Sequence, residues 1–334
     1  MATLPHAQPG PPRLVEGARF VPVQALDGRP HVAVDCAGRE GTVLALSHWP
    51  AAGTPPQLAA DTSALIAVRY LQGDAAGPPV DTVTCDHYDE DGLMALWLLL
   101  DRPGADDPAR ALAVAAAEAG DFQTWTDPVA AKVAIAAMRM AERGHSPFPE
   151  VARILAGGRG RDPAGDLYLA VLPRVRRLLE DPGRHRLLWA PVWERVEADI
   201  ALLDSGEATI EERPAADLAI VRAPRRLHEM AVHPRTAMMR VMHATPDGVM
   251  VVRHRYETWV DYVSRPLAPR VDLAGLLPLL RSRETAAGVW MADEMSAVRP
   301  NLYLRGPRGA PARSALDPAA LADLLEEFLA RRPR

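Results

Sequence analysis

Short apolar runs that each end on a polar residue set the rhythm of the first part of the chain. His31 to Asp35 (HVAVD), Thr42 to Ser47 (TVLALS) and Val80 to Cys85 (VDTVTC) read as short buried strands. Between the second and third, Leu58 to Leu71 places Leu58, Ser63, Leu65, Ile66, Val68, Arg69 and Tyr70 as an amphipathic helix would, with Gly73 as its stop. A very apolar helix follows the third strand, beginning over Leu93 to Leu100. Strand, polar turn and helix thus recur twice, which predicts an α/β layer with a mostly parallel sheet and flanking helices. Ligand sites in such sheets lie beyond the carboxyl ends of the strands.

The period then becomes helical, over Ala111 to Ala119, Val129 to Glu142, Asp166 to Glu180 and Trp193 to Leu203. From about Ala208 the character changes again. Asp217 to Arg222, Met238 to His243, Val249 to Tyr256 and Thr258 to Val263 read as strands, and Pro246-Asp247-Gly248 as the turn of an antiparallel hairpin. Leu273 to Leu280 and Pro318 to Ala330 close the chain as helices around two short strands, Gly288 to Met291 and Asn301 to Leu304. A length of 334 residues suits two domains. The expected division is 1–207, an α/β metal-binding domain with a helical extension, and 208–334, a C-terminal α+β domain with an antiparallel hairpin.

Composition narrows the picture only a little. With 48% hydrophobic and 24% charged residues the chain is that of a folded globular protein. A net charge of -5 gives no general reason to expect nucleic acid or an anionic membrane as partner. Cys36 and Cys85 sit in apolar runs, so a disulfide framework is not expected and a reducing cytoplasm fits better. The proline-rich start, Met1 to Arg13, lacks a signal-peptide pattern, and no stretch reaches the roughly 20 apolar residues of a membrane helix.

The densest chemistry lies at the third strand-to-helix junction, Asp86-His87-Tyr88-Asp89-Glu90-Asp91-Gly92. Carboxylates set this closely repel one another unless solvent or a cation compensates. Oxygen ligands with one imidazole suit manganese, magnesium or iron better than a thiolate-type structural zinc. A solvated acidic turn, with Asp91 favouring the helix N-terminus, is the structural alternative. An EF-hand is rejected: Leu98 stands where the bidentate glutamate belongs, and a strand precedes the loop where a helix should. Asp89-Glu90-Asp91-Gly92 also resembles the first motif of haloacid-dehalogenase phosphatases, which need a downstream lysine; Lys132 is the only lysine in the chain.

His87-Tyr88-Asp89-Glu90-Asp91-Gly92, followed by Leu93-Met94-Ala95, more closely resembles the first motif of the DHH phosphoesterase superfamily. The resemblance implies that His87 and Asp89 hold one divalent ion and Asp91 a second. Two further family elements stand ahead of that motif, as in a circular permutation. Asp35 takes the place of a metal-bridging aspartate, and Ser47-His48-Trp49-Pro50 the place of the Asp-His-His-Pro signature, with only His48 and the proline kept. Asp61-Thr62-Ser63-Ala64 is a loose counterpart of the family's helix start, and Asp121, ending a helical run, is the candidate for the remaining acidic ligand.

The resemblance implies a metal-dependent hydrolase acting on a small phosphorylated substrate, a phosphoester or nucleotide. His87, Asp89 and Asp91 would be catalytic, and Asp35, His48, His87, Asp89, Asp91 and Asp121 the metal ligands. Manganese is favoured and magnesium allowed. In the C-terminal domain, Arg253-His254-Arg255-Tyr256-Glu257-Thr258-Trp259 alternates along an expected strand, one face of which offers Arg253 and Arg255 to an anionic substrate; an exposed face over an aromatic core is the plainer reading. Gly157 to Gly160 lacks the lysine and serine of a nucleotide cradle. The rival to an enzyme is a non-catalytic protein that keeps the fold and binds a ligand or partner.

Overall fold

The structure, a computed structural model, describes residues 10–157, 162–307 and 309–331. Most of the proline-rich start and most of the Gly157 to Gly160 loop lie outside the described residues. The chain divides into two compact units.

The first unit carries β1 (Arg13–Phe20), β2 (His31–Val34), β3 (Thr42–Leu46), α1 (Ser63–Gln72), β4 (Pro79–Thr84), α2 (Glu90–Asp101), α3 (Pro108–Phe122), α4 (Pro128–Met140), α5 (Pro149–Ala156), α6 (Pro163–Glu180) and the start of α7 (Arg186–Ser205). Four strands form a sheet in the order β1-β4-β2-β3, and every pair in it is parallel. β2 is buried along its whole length, which is why HVAVD reads as a continuous apolar run and not as an alternation. Phe20, Asp35, Ser47 and Cys85 stand at or just beyond the carboxyl ends of the four strands.

Capping sets where the two helices next to those ends begin. Thr62 caps α1, its Oγ1 accepting from Leu65 N at 3.2 Å, so the helix starts at Ser63 and the Leu58 region forms a separate 3-10 turn. Asp89 caps α2, its Oδ1 accepting from Gly92 N at 2.8 Å. From Leu93 to Leu99 every residue of α2 is buried.

The second unit holds the rest of α7, β5 (Thr209–Arg213), β6 (Leu218–Arg222), α8 (Glu229–Val232), β7 (Arg240–Ala244), β8 (Met250–His254), α9 (Leu277–Arg283), β9 (Val289–Ala292), β10 (Asn301–Arg305) and α10 (Pro318–Ala330). Its sheet runs β5-β6-β7-β8-β10-β9, antiparallel except for β6 and β7, and β7-β8 is the expected hairpin. The division falls at Pro191 inside α7, earlier than residue 207, because Leu202 and Leu203 pack on Val221, Leu227 and Val241 of the second unit.

Two expectations for this unit need correction. Thr258 to Val263 is not a strand: Tyr256–Thr258 is a 3-10 turn, and Tyr256 and Val260 are buried with Trp259 and Tyr262 packed around them as an aromatic cluster. β8 ends at His254, so Arg253 to Trp259 does not alternate along one strand.

His233, His243 and His254 are buried in this unit, and burial, with nearby arginines, pushes them down to about 3, 4 and 3 respectively. The unfolded chain takes up protons below about 6.5 while the folded one does not. Their contribution is therefore intact above pH 6.5 and lost as pH falls towards 4. By pH 5 each histidine should cost about 2 kcal/mol. Denaturant melts at pH 7 and pH 5 check this, and equal stabilities at the two values would contradict it.

Candidate metal centre

Six side chains at the strand ends of the first unit face one another. Asp35 leaves β2 with φ at 51°, a left-handed backbone that aspartate tolerates better than most residues. Its side chain is 1% exposed and its two oxygens look in different directions. Oδ1 accepts from Ser63 Oγ at 2.7 Å and lies 3.5 Å from His48 Nε2. Oδ2 lies 3.3 Å from His87 Nε2.

Around His48 Nε2 stand three carboxylate oxygens: Asp35 Oδ1 at 3.5 Å, Asp121 Oδ2 at 3.5 Å and Asp91 Oδ2 at 3.7 Å. Around His87 Nε2 stand Asp89 Oδ2 at 2.8 Å and Asp35 Oδ2 at 3.3 Å. Two ligand atoms about 2.1 Å from a shared cation are about 3.0 Å apart at a right angle and about 3.4 Å at the tetrahedral angle. The His87 spacings, 2.8 and 3.3 Å, bracket the first value and the His48 spacings, 3.5 to 3.7 Å, lie just above the second, with Asp35 common to both groups.

Both imidazoles are oriented from behind. His48 Nδ1 makes a very short hydrogen bond to the Asp61 carbonyl, which puts a proton on Nδ1 and turns Nε2 towards the carboxylates. His87 Nδ1 faces Asp86 Oδ1 at 3.2 Å, and Asp86 Oδ2 is held by Arg39 Nη2 at 2.6 Å. Trp49 packs over the His87 ring with centroids 4.9 Å apart.

Asp91 does not cap its own helix. Its two oxygens cross to the first turn of α1 and accept from Ser63 N at 2.6 Å and Ala64 N at 2.7 Å. That junction stabilises the ionised carboxyl, yet burial, followed by repulsion from Asp89, still raises it to about 7. Asp35 and Asp121 are also raised well above the usual carboxylate range, by burial first and then by neighbouring aspartates. Burial also raises Asp89, but the His87 hydrogen bond and charge and the Gly92 N–H outweigh it, and its carboxyl ends up lowered. For His87, burial disfavours the charged ring, and the hydrogen bonds to Asp35, Asp86 and Asp89 more than offset it, so the ring is held protonated.

A donor set of four buried or half-buried carboxylates and two imidazoles, with too little positive charge of its own, fits hard divalent cations. His87, Asp89 and Asp35 would hold one, and His48, Asp91, Asp121 and Asp35 another. All six residues expected from the sequence as ligands come together here. Arg253 and Arg255 belong to the second unit and are engaged there: Arg253 donates to Glu229 Oε1 at 2.9 Å and to Asn301 Oδ1 at 2.8 Å. Arg255 is buried and ion-paired with Glu257.

Ser63 and Tyr168 are participants that the sequence does not announce. Ser63 was legible only as the start of a helix. Tyr168, fully buried on α6, donates to Cys85 Sγ at 3.5 Å and closes the back of the centre. A methyl group on Gly92 would overlap the Tyr168 hydroxyl and stand 3.1 Å from Asp89 Oδ1 and 3.3 Å from Asp35 Oδ2. Gly92→Ala should therefore destabilise the protein by about 1–3 kcal/mol. Tyr168→Phe in the same chain should recover part of that loss in a thermal-melt double-mutant cycle, and strictly additive effects would contradict the overlap.

Among the described residues no helix is long and apolar enough to cross a membrane. No curated protein and no solved structure matches the chain. The model of a family described as "Family of unknown function (DUF6687)" matches residues 16–333. The protein belongs to that family.

Proposed function

We propose that the first unit is a metal-dependent phosphoesterase-like hydrolase whose Asp/His centre acts on a small phosphorylated substrate. The observation that carries this reading is the Asp35 carboxylate, one oxygen turned to His48 and the other to His87, as a carboxylate shared by two cations would be. Bound there, manganese or magnesium would polarise a phosphoryl group and acidify water. The chain's own residues do the rest. His48 and His87 present Nε2 on opposite sides of Asp35, Asp61 and Asp86 fix their orientation, and the α1 N-terminus holds Asp91 in place. Support also comes from the DHH-like motif, whose three expected ligands all point inward.

The test is metal analysis of purified protein after manganese loading, followed by a screen of generic phosphodiesters and nucleotides. Asp89→Asn should lose about half of the bound metal and Asp91→Asn at least half, each abolishing turnover. Unchanged metal content in both variants would overturn the reading.

One observation favours a second reading, a protein that binds a ligand or partner without turnover. Ser47 stands where the phosphoesterase signature has aspartate, and its Oγ accepts from Trp49 N at 3.2 Å within its own loop. Metal retained with no turnover on any phosphoester would select that reading.

A further inference from the structure

Directly behind the Asp/His centre, the ends of β2 and β4 bring together donors of a softer kind. Cys36 follows Asp35, Cys85 follows β4, and Asp86 comes next. The two sulfurs and a carboxylate oxygen of Asp86 all lie within 4.8 Å of one another. Both thiols are fully buried, whereas Asp86 reaches the surface. His87 Nδ1 faces the same group, 3.2 Å from Asp86 Oδ1 and 3.8 Å from Cys85 Sγ.

Two thiols in a core are usually inert small hydrophobes. Here they adjoin a carboxylate and an imidazole nitrogen, the sulfur, oxygen and nitrogen set that tetrahedral thiophilic cations take. The phosphoesterase reading uses His87 through Nε2 and Asp86 only to orient it, and gives the two sulfurs no role.

We propose that Cys36, Cys85 and Asp86, with His87 Nδ1 as fourth donor, form a binding site for a thiophilic divalent cation of the zinc class. On binding, two metal–sulfur bonds form and two thiol protons leave to solvent, so no oxidant or reductant is required. A neutral imidazole has one lone pair, so His87 ligates through Nδ1 or through Nε2 and not both. Occupation of the cysteine site therefore removes His87 from the Asp35/Asp89 side and antagonises manganese there. This last consequence rests on the proposed function; the cysteine site itself does not.

Cobalt(II) is the probe, added to metal-stripped full-length protein under a thiol-free reductant. Cobalt on two thiolates gives an intense near-ultraviolet sulfur-to-metal charge-transfer band, whereas cobalt among carboxylates and imidazoles alone lacks it. The expected result is one cobalt with the thiolate signature, displaced by zinc. Cys36→Ser should weaken it at least about tenfold. Asp86→Asn, which keeps both sulfurs and lies at the surface, should weaken cobalt binding while leaving the band's position unchanged. Manganese binding by Cys36→Ser should be retained, showing that the variant folds. Cobalt binding without a charge-transfer band, or a band that survives Cys36→Ser, overturns the site. Loss of all manganese binding in the unmodified protein would count against the proposed function and leave the cobalt result standing.

Discussion

Asp35→Asn is expected to weaken manganese binding at least about 100-fold and to remove any phosphoester hydrolysis, more than either Asp89→Asn or Asp121→Asn. The reason is geometric. Asp89 belongs to the His87 side and Asp121 to the His48 side, while Asp35 alone faces both. The substitution also isolates chemistry from backbone, because asparagine accepts the left-handed φ of 51° as readily as aspartate does. One Asn oxygen can still accept from Ser63 Oγ, so the metal-free fold should survive. Calorimetric titration with manganese is the measurement. An Asp35→Asn protein that binds manganese as the unmodified chain does would refute the shared-carboxylate geometry.

Manganese affinity should climb steeply with pH. The His87 ring is held protonated by its carboxylate neighbours, and that proton must leave before Nε2 can ligate. Asp91, raised to about 7 by burial and by Asp89, holds a second proton below neutrality. Each proton displaced makes affinity rise about tenfold per pH unit, so affinity should rise at least about tenfold per unit between pH 7 and 8 and more steeply below pH 7, where Asp91 also holds its proton.

The metal-free protein should show the complementary behaviour at Asp91. A carboxyl raised on folding costs nothing below the unfolded value near 4, destabilises progressively as pH rises from there, and reaches its full cost near 7. The melting-temperature gain on adding manganese is therefore expected to be small at pH 5.5 and large at pH 8. A gain independent of pH would contradict the protonated cluster.

The strands that carry ligands are readable in the sequence because they are short, buried towards their carboxyl ends and finish on the residues that matter. HVAVD delivers Asp35, TVLALS leads to His48 and VDTVTC to the Asp86–Asp91 turn. What could not be read is equally specific. β1 hides in RLVEGARF because only Leu14 and Phe20 along it are buried, and its pairing with β4 shifts register between Leu14 and Arg19. Thr258 to Val263 imitates a strand through β-branched and aromatic residues that in fact pack as an aromatic cluster. The alternative to a metal role places Asp91 at the N-terminus of its own helix, and no local pattern could reveal that its carboxylate accepts from Ser63 N and Ala64 N in the first turn of α1. Ser63 and Tyr168 reach the centre through tertiary packing alone.

The two histidines of the centre differ in how they can be lost over generations. His48 is aimed by a main-chain carbonyl, which every residue type at position 61 would still provide. His87 is aimed by the Asp86 side chain, itself held by Arg39, and a single codon change at either position loosens it. The half of the centre built on His48 is thus buffered against genetic drift, and the half built on His87 is exposed to it. Relatives that keep only one side of the centre should have kept His48, Asp91 and Asp121 and lost the Arg39–Asp86–His87 relay first.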